Sequence, residues 1–121
     1  MNPRILFVDD ESPVREMLSL YFRNKGYDVS SVGTGGEAME ATDHERFNAA
    51  VVDLNLEGES GLELLGFLKS NHPEVPVIIF TGLPDQNLEA QAMAGGADAF
   101  MSKADSLDKL FDEVARHIPQ A

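Results

Sequence analysis

Short apolar runs alternate along this chain with longer segments in which apolar residues recur every three or four positions. The runs are Arg4 to Asp9 (RILFVD), Tyr27 to Val32 (YDVSSV), Asn48 to Asp53 (NAAVVD), Val75 to Thr81 (VPVIIFT) and Ala97 to Lys103 (ADAFMSK). Their length and β-branched content predict strands. The second alternates apolar with polar residues, as a strand near a sheet edge does. The third is apolar toward both faces and the fourth is the most apolar of the chain, which places both inside a sheet.

Between the runs the periodicity is helical. Ser12 followed by Pro13 predicts a helix start capped by Ser12, with Val14, Met17, Leu18, Tyr21 and Phe22 on one face and Gly26 as the stop. Thr34 with Glu37 is a capping box that opens a helix through Ala38, Met39 and Ala41 to about His44. Ser60 with Glu63 makes a second box, ahead of Leu62, Leu65, Phe67 and Leu68, and that helix stops before His72-Pro73. Gly82-Leu83-Pro84-Asp85 turns into an Ala-rich helix that ends at Gly95-Gly96; having few large apolar residues, it is expected to be the least firmly anchored. Ser106 caps a last helix with Leu107, Leu110, Phe111, Val114 and Ile118 on one face. His44, His72 and His117 are expected at the surface, and the methionines at core positions.

Five strands alternating strictly with five helices predict an α/β fold, a (βα)5 doubly wound five-stranded parallel sheet with helices on both faces and right-handed crossovers. Every loop after a strand then opens on one edge, where such sheets bind ligands. Asp9, Asp10, Asp53, Thr81 and Lys103 end strands or directly follow them, so topology makes one site of residues scattered over most of the chain.

Composition narrows the possibilities. The 121 residues, 43% hydrophobic, suit one domain over residues 1–121. The chain has no cysteine, which removes disulfides, thiolate metal sites and a cysteine nucleophile. No apolar run approaches the roughly 20 residues of a membrane span, and the N-terminus lacks the features of a signal peptide, so a soluble, cytoplasmic protein with no membrane partner is expected. Nine Lys plus Arg against 21 Asp plus Glu give a formal charge of −12, which argues against nucleic-acid binding by this domain.

Three carboxylates meeting at one sheet edge disfavour each other's ionised form, and a cation is the natural remedy. The ligands on this edge are all oxygens, which points to a hard ion such as Mg²⁺. Lys103 brings a compact positive charge and Thr81 a hydroxyl donor, both suited to the oxygens of a phosphoryl group, while a carboxylate can itself be the nucleophile. Alone, Asp9-Asp10 would read as a solvated turn, Thr81 as a helix cap, Lys103 as a surface charge and Phe100 as a core aromatic.

Four motifs together resemble the receiver domain of the two-component response-regulator family: VDDE at Val8 to Glu11, VVDLNLEGESG at Val51 to Gly61, IIFTG at Ile78 to Gly82 and AFMSK at Ala99 to Lys103. The resemblance covers essentially the whole chain and implies a flavodoxin-like strand order 2-1-3-4-5. It implies that Asp53 accepts a phosphoryl group from a sensor histidine kinase or a histidine phosphotransfer protein. Asp10, Asp53 and the backbone carbonyl of Asn55 would hold Mg²⁺, with Asp9 supporting the ion through water. Lys103 would pair with the phosphoryl group and Thr81 would hydrogen-bond to it, while Phe100 resembles the aromatic that turns inward with the threonine. The output would be a changed face of the fourth helix, fifth strand and fifth helix, read by a downstream protein, by a C-terminal output domain following the last helix, or by a second copy in a phosphorylation-dependent dimer. The chemistry implied is that of a signalling phosphoacceptor, self-catalysed and otherwise not enzymatic.

Two positions depart from the family pattern. Ala104 follows Lys103 where the family usually has a cis proline; a cis bond before a non-proline residue costs about 2.5–4 kcal/mol, so a trans loop that aims Lys103 less rigidly is expected. Glu57 stands where proline is frequent, and both a tuning role near the metal and a solvated side chain remain open. Two other functions stay in play. One is a phosphate-independent docking module, hinted at by Ala104 alone. The other is a Mg²⁺-dependent phosphohydrolase with an aspartyl-phosphate intermediate, against which stand the lack of room for a cap domain and Asn55 in place of a second acid.

Overall fold

The computed structural model describes residues 2–82 and 84–118, apart from the side chain of Glu59. Met1, Leu83 of the turn expected after the fourth strand, and residues 119–121 lie outside the described residues. The elements are β1 (Arg4–Val8), α1 (Ser12–Asn24), β2 (Asp28–Val32), α2 (Gly35–His44), β3 (Ala49–Val52), β4 (Asn55–Leu56), β5 (Glu59–Ser60), α3 (Gly61–Asn71), β6 (Val77–Thr81), α4 (Gln86–Ala94), β7 (Ala99–Ser102) and α5 (Leu107–His117).

Five of the strands form one parallel sheet in the order β2-β1-β3-β6-β7. With the small β4-β5 hairpin set aside, this is the expected 2-1-3-4-5, with the alternating strand β2 at an edge and the two most apolar runs inside. The strands are shorter than their apolar runs for local reasons. Pro76 lacks an N–H and the Val75 N–H turns back to His72 O at 3.0 Å, so β6 begins at Val77; the Ala97 N–H closes α4 on Ala92 O at 3.1 Å, so β7 begins at Ala99. The β4-β5 hairpin is an addition to the five-strand pattern. It pairs Asn55 with Ser60 and Leu56 with Glu59 around Gly58, whose φ of 70° suits glycine, and two-residue strands carry no readable periodicity.

The sheet carries a core on each face. Leu6, Val8, Ala50, Val52, Val77 and Ile79 meet Ala38 of α2, Leu64, Leu65 and Leu68 of α3, and Ala92 of α4. Ile5, Phe7, Ala49, Val51, Ile78, Phe80 and Ala99 meet Leu18 and Phe22 of α1 and Leu110 and Val114 of α5. Consecutive residues divide between the two sets, as the period of two in a strand requires. Ala92 is the one buried residue of α4, in keeping with the weak anchorage expected of it.

The capping signals fared unevenly. Thr34 accepts the Glu37 N–H at 3.1 Å while Glu37 accepts the Gly33 N–H at 3.1 Å, and Ser106 accepts the Lys109 N–H at 3.1 Å. Asp85 likewise accepts the Leu88 N–H at 2.7 Å. Ser12, by contrast, is the first residue of α1 and not its cap. Glu11 holds that place, because its carbonyl already takes the Val14 and Arg15 N–H groups, both at 3.1 Å, that a Ser12 cap would have used. Ser60 occupies the N-cap of α3 without a side-chain cap bond; its backbone is engaged with Asn55 in the hairpin.

Two surface expectations need correction. His44 is exposed, but His72 and His117 are only partly exposed, and the Nε2 atom of each is covered with no hydrogen-bond partner. Met17 on α1 and Met93 on α4 are exposed, along with Leu20, and not in the core.

Candidate functional site

β1 and β3 end side by side, and each delivers an acid. The ladder continues one residue past both strands: the Asp9 N–H donates to Val32 O at 3.1 Å and the Asp53 N–H to Val8 O at 2.9 Å. Those bonds fix the Cα positions of the two aspartates at the carboxyl edge, where both residues are buried. β6 brings Thr81 to the same edge, and Lys103 follows β7 with its N–H on Thr81 O at 2.8 Å.

The Lys103 ammonium donates to Asp9 Oδ2 at 2.7 Å, Asp53 Oδ2 at 2.8 Å and Glu11 Oε1 at 3.1 Å. Its side chain is 17% exposed, against 4% for Asp9 and 3% for Asp53, so those two contacts form largely out of water, while the Glu11 partner is exposed. Burial alone would lower the Lys103 pKa, but hydrogen bonds to Asp53, Asp9 and Glu11 outweigh it and hold the ammonium well above the ordinary lysine value. Asp9 behaves differently. Burial raises its pKa above 3.8, and the bonds from Lys103 and the Glu11 N–H do not offset that, while the Asp53 charge pushes the same way. The shared ammonium therefore does not fully offset the burial of Asp9.

Backbone groups set the remaining oxygens. Asp53 Oδ1 accepts the Asn55 N–H at 3.0 Å, Asp10 Oδ2 the Glu57 N–H at 2.9 Å, and Asp9 Oδ1 the Glu11 N–H at 2.9 Å. Asp9, Asp10, Glu11 and Asp53 each present an oxygen within 4.8 Å of the others. This all-oxygen donor set fits a hard divalent cation such as Mg²⁺. Thr81 Oγ1 is buried without a hydrogen-bond partner, an acceptor and donor with nothing yet to bind. Phe100 stands outside the acid cluster. It pairs across the ladder with Ile79, while Thr81 pairs with Ser102, so Thr81 and Phe100 are diagonal neighbours on one face.

The structure brings Asp9, Asp10, Asp53 and Lys103 to one edge of the sheet, with Asn55 beside them at the start of β4. Ala104 follows in a trans peptide, since no described peptide bond is cis, and Lys103 reaches Asp53 regardless. The Glu57 side chain is exposed; what engages the site is its N–H.

Sequence reasoning missed three participants. Glu11 lay within the quoted VDDE run and was not singled out, yet it is a third partner of Lys103. Arg15 donates from Nη1 to Asp9 O at 2.6 Å; it stands six positions after Asp9, inside α1, and its partner is a backbone oxygen, so no side-chain spacing flags it. Gly61 opens α3 against the chain beside Asp53: a Cβ there would lie 2.4 Å from Leu54 Cα and 2.9 Å from Asp53 O. A cavity of about 740 Å³ lined by Thr42, Phe47, His72 and Val75 opens at the opposite edge of the sheet and contains none of the site residues.

Comparison with known proteins converges on one family. A family model described as the response regulator receiver domain matches residues 5–115. Regulatory protein VanR of Enterococcus faecium is 32% identical over 103 residues, 85% of this chain and 44% of that protein. Sporulation initiation phosphotransferase F of Bacillus subtilis is 28% identical over 119 residues, 98% of this chain and 96% of that protein. Among solved structures, the response regulator TrrA of Thermotoga maritima, in complex with Mg²⁺ and BeF, superposes with a TM-score of 0.87 at 27% identity over 96% of this chain and 99% of that one. The chain spans less than half the length of several of the curated relatives it matches.

Proposed function

The chain belongs to the response regulator receiver domain family, and from that membership we propose that Asp53 is a phosphoacceptor served by a divalent cation. The observation that carries the proposal is the Lys103 ammonium lying 2.8 Å from Asp53 Oδ2 within a cluster of oxygens that fits Mg²⁺. Residues 1–121 act as a single receiver domain.

In the reaction an Asp53 carboxylate oxygen attacks phosphorus, and the new P–O bond forms as the bond from phosphorus to the donor's histidine nitrogen breaks. Asp10, Asp53 and the Asn55 carbonyl would hold the cation, with Asp9 beside them, and the ion would supply charge neutralisation to the transferring group. Lys103 exchanges a carboxylate contact for a phosphoryl oxygen. Thr81 Oγ1, buried and unpaired, gains its partner in the same step, and Phe100 follows from its diagonal position. The changed surface comprises α4, β7 and α5. The domain is a cytoplasmic signalling switch and not an enzyme with a separate substrate. A histidine kinase or histidine phosphotransfer protein is its donor, and a downstream protein or attached output domain its reader.

Intact-mass spectrometry after incubation with acetyl phosphate tests this. The proposal requires one phosphoryl adduct that depends on Mg²⁺ and is absent from Asp53→Asn; no adduct under conditions that label another receiver would refute it.

A further inference from the structure

Lys103 reaches its acids from a loop that has no proline to stiffen it, and the structure offers another source of stiffness. Every N–H from Ser102 to Asp105 has a partner. The Ser102 N–H donates to Asp105 Oδ2 at 3.1 Å, the Lys103 N–H to Thr81 O at 2.8 Å, the Ala104 N–H to Ser102 Oγ at 3.0 Å, and the Asp105 N–H to Ser102 O at 2.9 Å. The Ala104 bond is one that proline, lacking an N–H, cannot make.

We propose that Ser102 and Asp105 are positioning residues that aim Lys103 at Asp53 through a reciprocal hydrogen-bonded box spanning the loop. Three of the four bonds close within residues 102–105, and two use side chains that no contact joins to Asp53. Short side chains bonding to nearby backbone are a common way to fix a tight turn. Asp105 also starts the lead into α5, where Ser106 caps the helix, so the box is anchored at both ends: to β6 through Thr81 and to α5 through Ser106. Lysine has four rotatable side-chain bonds, and holding its backbone shortens the search of its ammonium for three acceptors.

The labelling arm of the test rests on the phosphoacceptor reading; the spectroscopic arm does not. With ¹⁵N-lysine protein, the Lys103 ammonium gives a proton-nitrogen cross-peak only while hydrogen bonds slow its exchange with water, and Lys103→Arg assigns it among the four lysines. Ser102→Ala and Asp105→Ala are each expected to weaken or erase that peak and to slow acetyl phosphate labelling about tenfold, without weakening Mg²⁺ binding by calorimetry. Ser102→Thr and Asp105→Asn, which keep the acceptor oxygens, are expected to retain both. Should an alanine variant fail to fold, the other and the two conservative variants carry the comparison. Alanine variants with the wild-type peak and rate would overturn the inference, as would conservative variants no better than alanine. A wild-type protein that never labels, with a peak that still vanishes in the alanine variants, would refute the phosphoacceptor reading and uphold the positioning role.

Discussion

Lys103 Nζ lies 2.8 Å from Asp53 Oδ2, although the two residues stand 50 positions apart in the chain. The contact spans β3 and β7 with β6 between them, so it depends on the parallel order of the sheet and on the loop that carries the lysine. It also places an ammonium between two buried acids, which makes its removal informative.

Lys103→Met would leave Asp9 and Asp53 buried with no cation. Breaking a buried ion pair by deleting one partner typically costs about 3–5 kcal/mol, and partial access to water here brings the expectation to roughly 2–4 kcal/mol in a divalent-free buffer. Urea unfolding measures it. Added Mg²⁺ is expected to restore part of the loss, because the ion can take up the charge the lysine gave up; a variant as stable as the wild type in the absence of Mg²⁺ would show the pair to be energetically neutral.

The raised pKa of Asp9 fixes the sign of a pH effect. A carboxyl that binds its proton more tightly folded than unfolded contributes stability that is complete below its unfolded value of 3.8 and is lost as pH rises through its folded value. Asp9→Asn removes that liability. The variant is therefore expected to be more stable than the wild type at pH 7 in divalent-free buffer, with the advantage shrinking as pH falls toward 3.8, by thermal unfolding across that range.

Gly61 is required for space and not for its backbone angles. A methyl group there would stand 2.4 Å from Leu54 Cα, backbone that cannot swing aside. Gly61→Ala is expected to destabilise by about 1–3 kcal/mol or more, as overpacking does, and to disturb the amide signals of Asp53 and Leu54. Gly66, with open space around it, serves as the control position.

The two serine caps give opposite expectations. Ser106→Ala removes a bond to the Lys109 N–H and is expected to cost about 1 kcal/mol. Ser60→Ala removes no cap bond and should change stability by only a few tenths. Denaturant titration of both distinguishes the observed caps from those the sequence pattern suggests.

That contrast marks how far the chain could be read without its structure. Strand content, edge and interior positions, and the convergence of Asp9, Asp53, Thr81 and Lys103 were legible because burial imposes periodicity and parallel topology sends every strand end to one edge. The Ser60 and Ser12 caps misled because a cap motif names a residue able to bond, while the hairpin at Asn55 and the Glu11 carbonyl decide which donors remain free. The three added participants were hidden for different reasons. Glu11 meets Lys103 only once the two strand ends are folded together, Arg15 bonds to a backbone oxygen, and Gly61 is needed only because another segment passes close by. The Ser102–Asp105 box was invisible for the same cause: its bonds exist only once the loop has its shape.

Whether Asp53 carries the phosphoryl group is read most directly by borohydride reduction after acetyl phosphate treatment, followed by peptide mass spectrometry. Borohydride converts an aspartyl phosphate to homoserine, so the account predicts homoserine at position 53 in the Mg²⁺-treated wild type and nowhere else. Homoserine at Asp9 or Asp10, or an unmodified Asp53 in protein that carries the adduct, would contradict it.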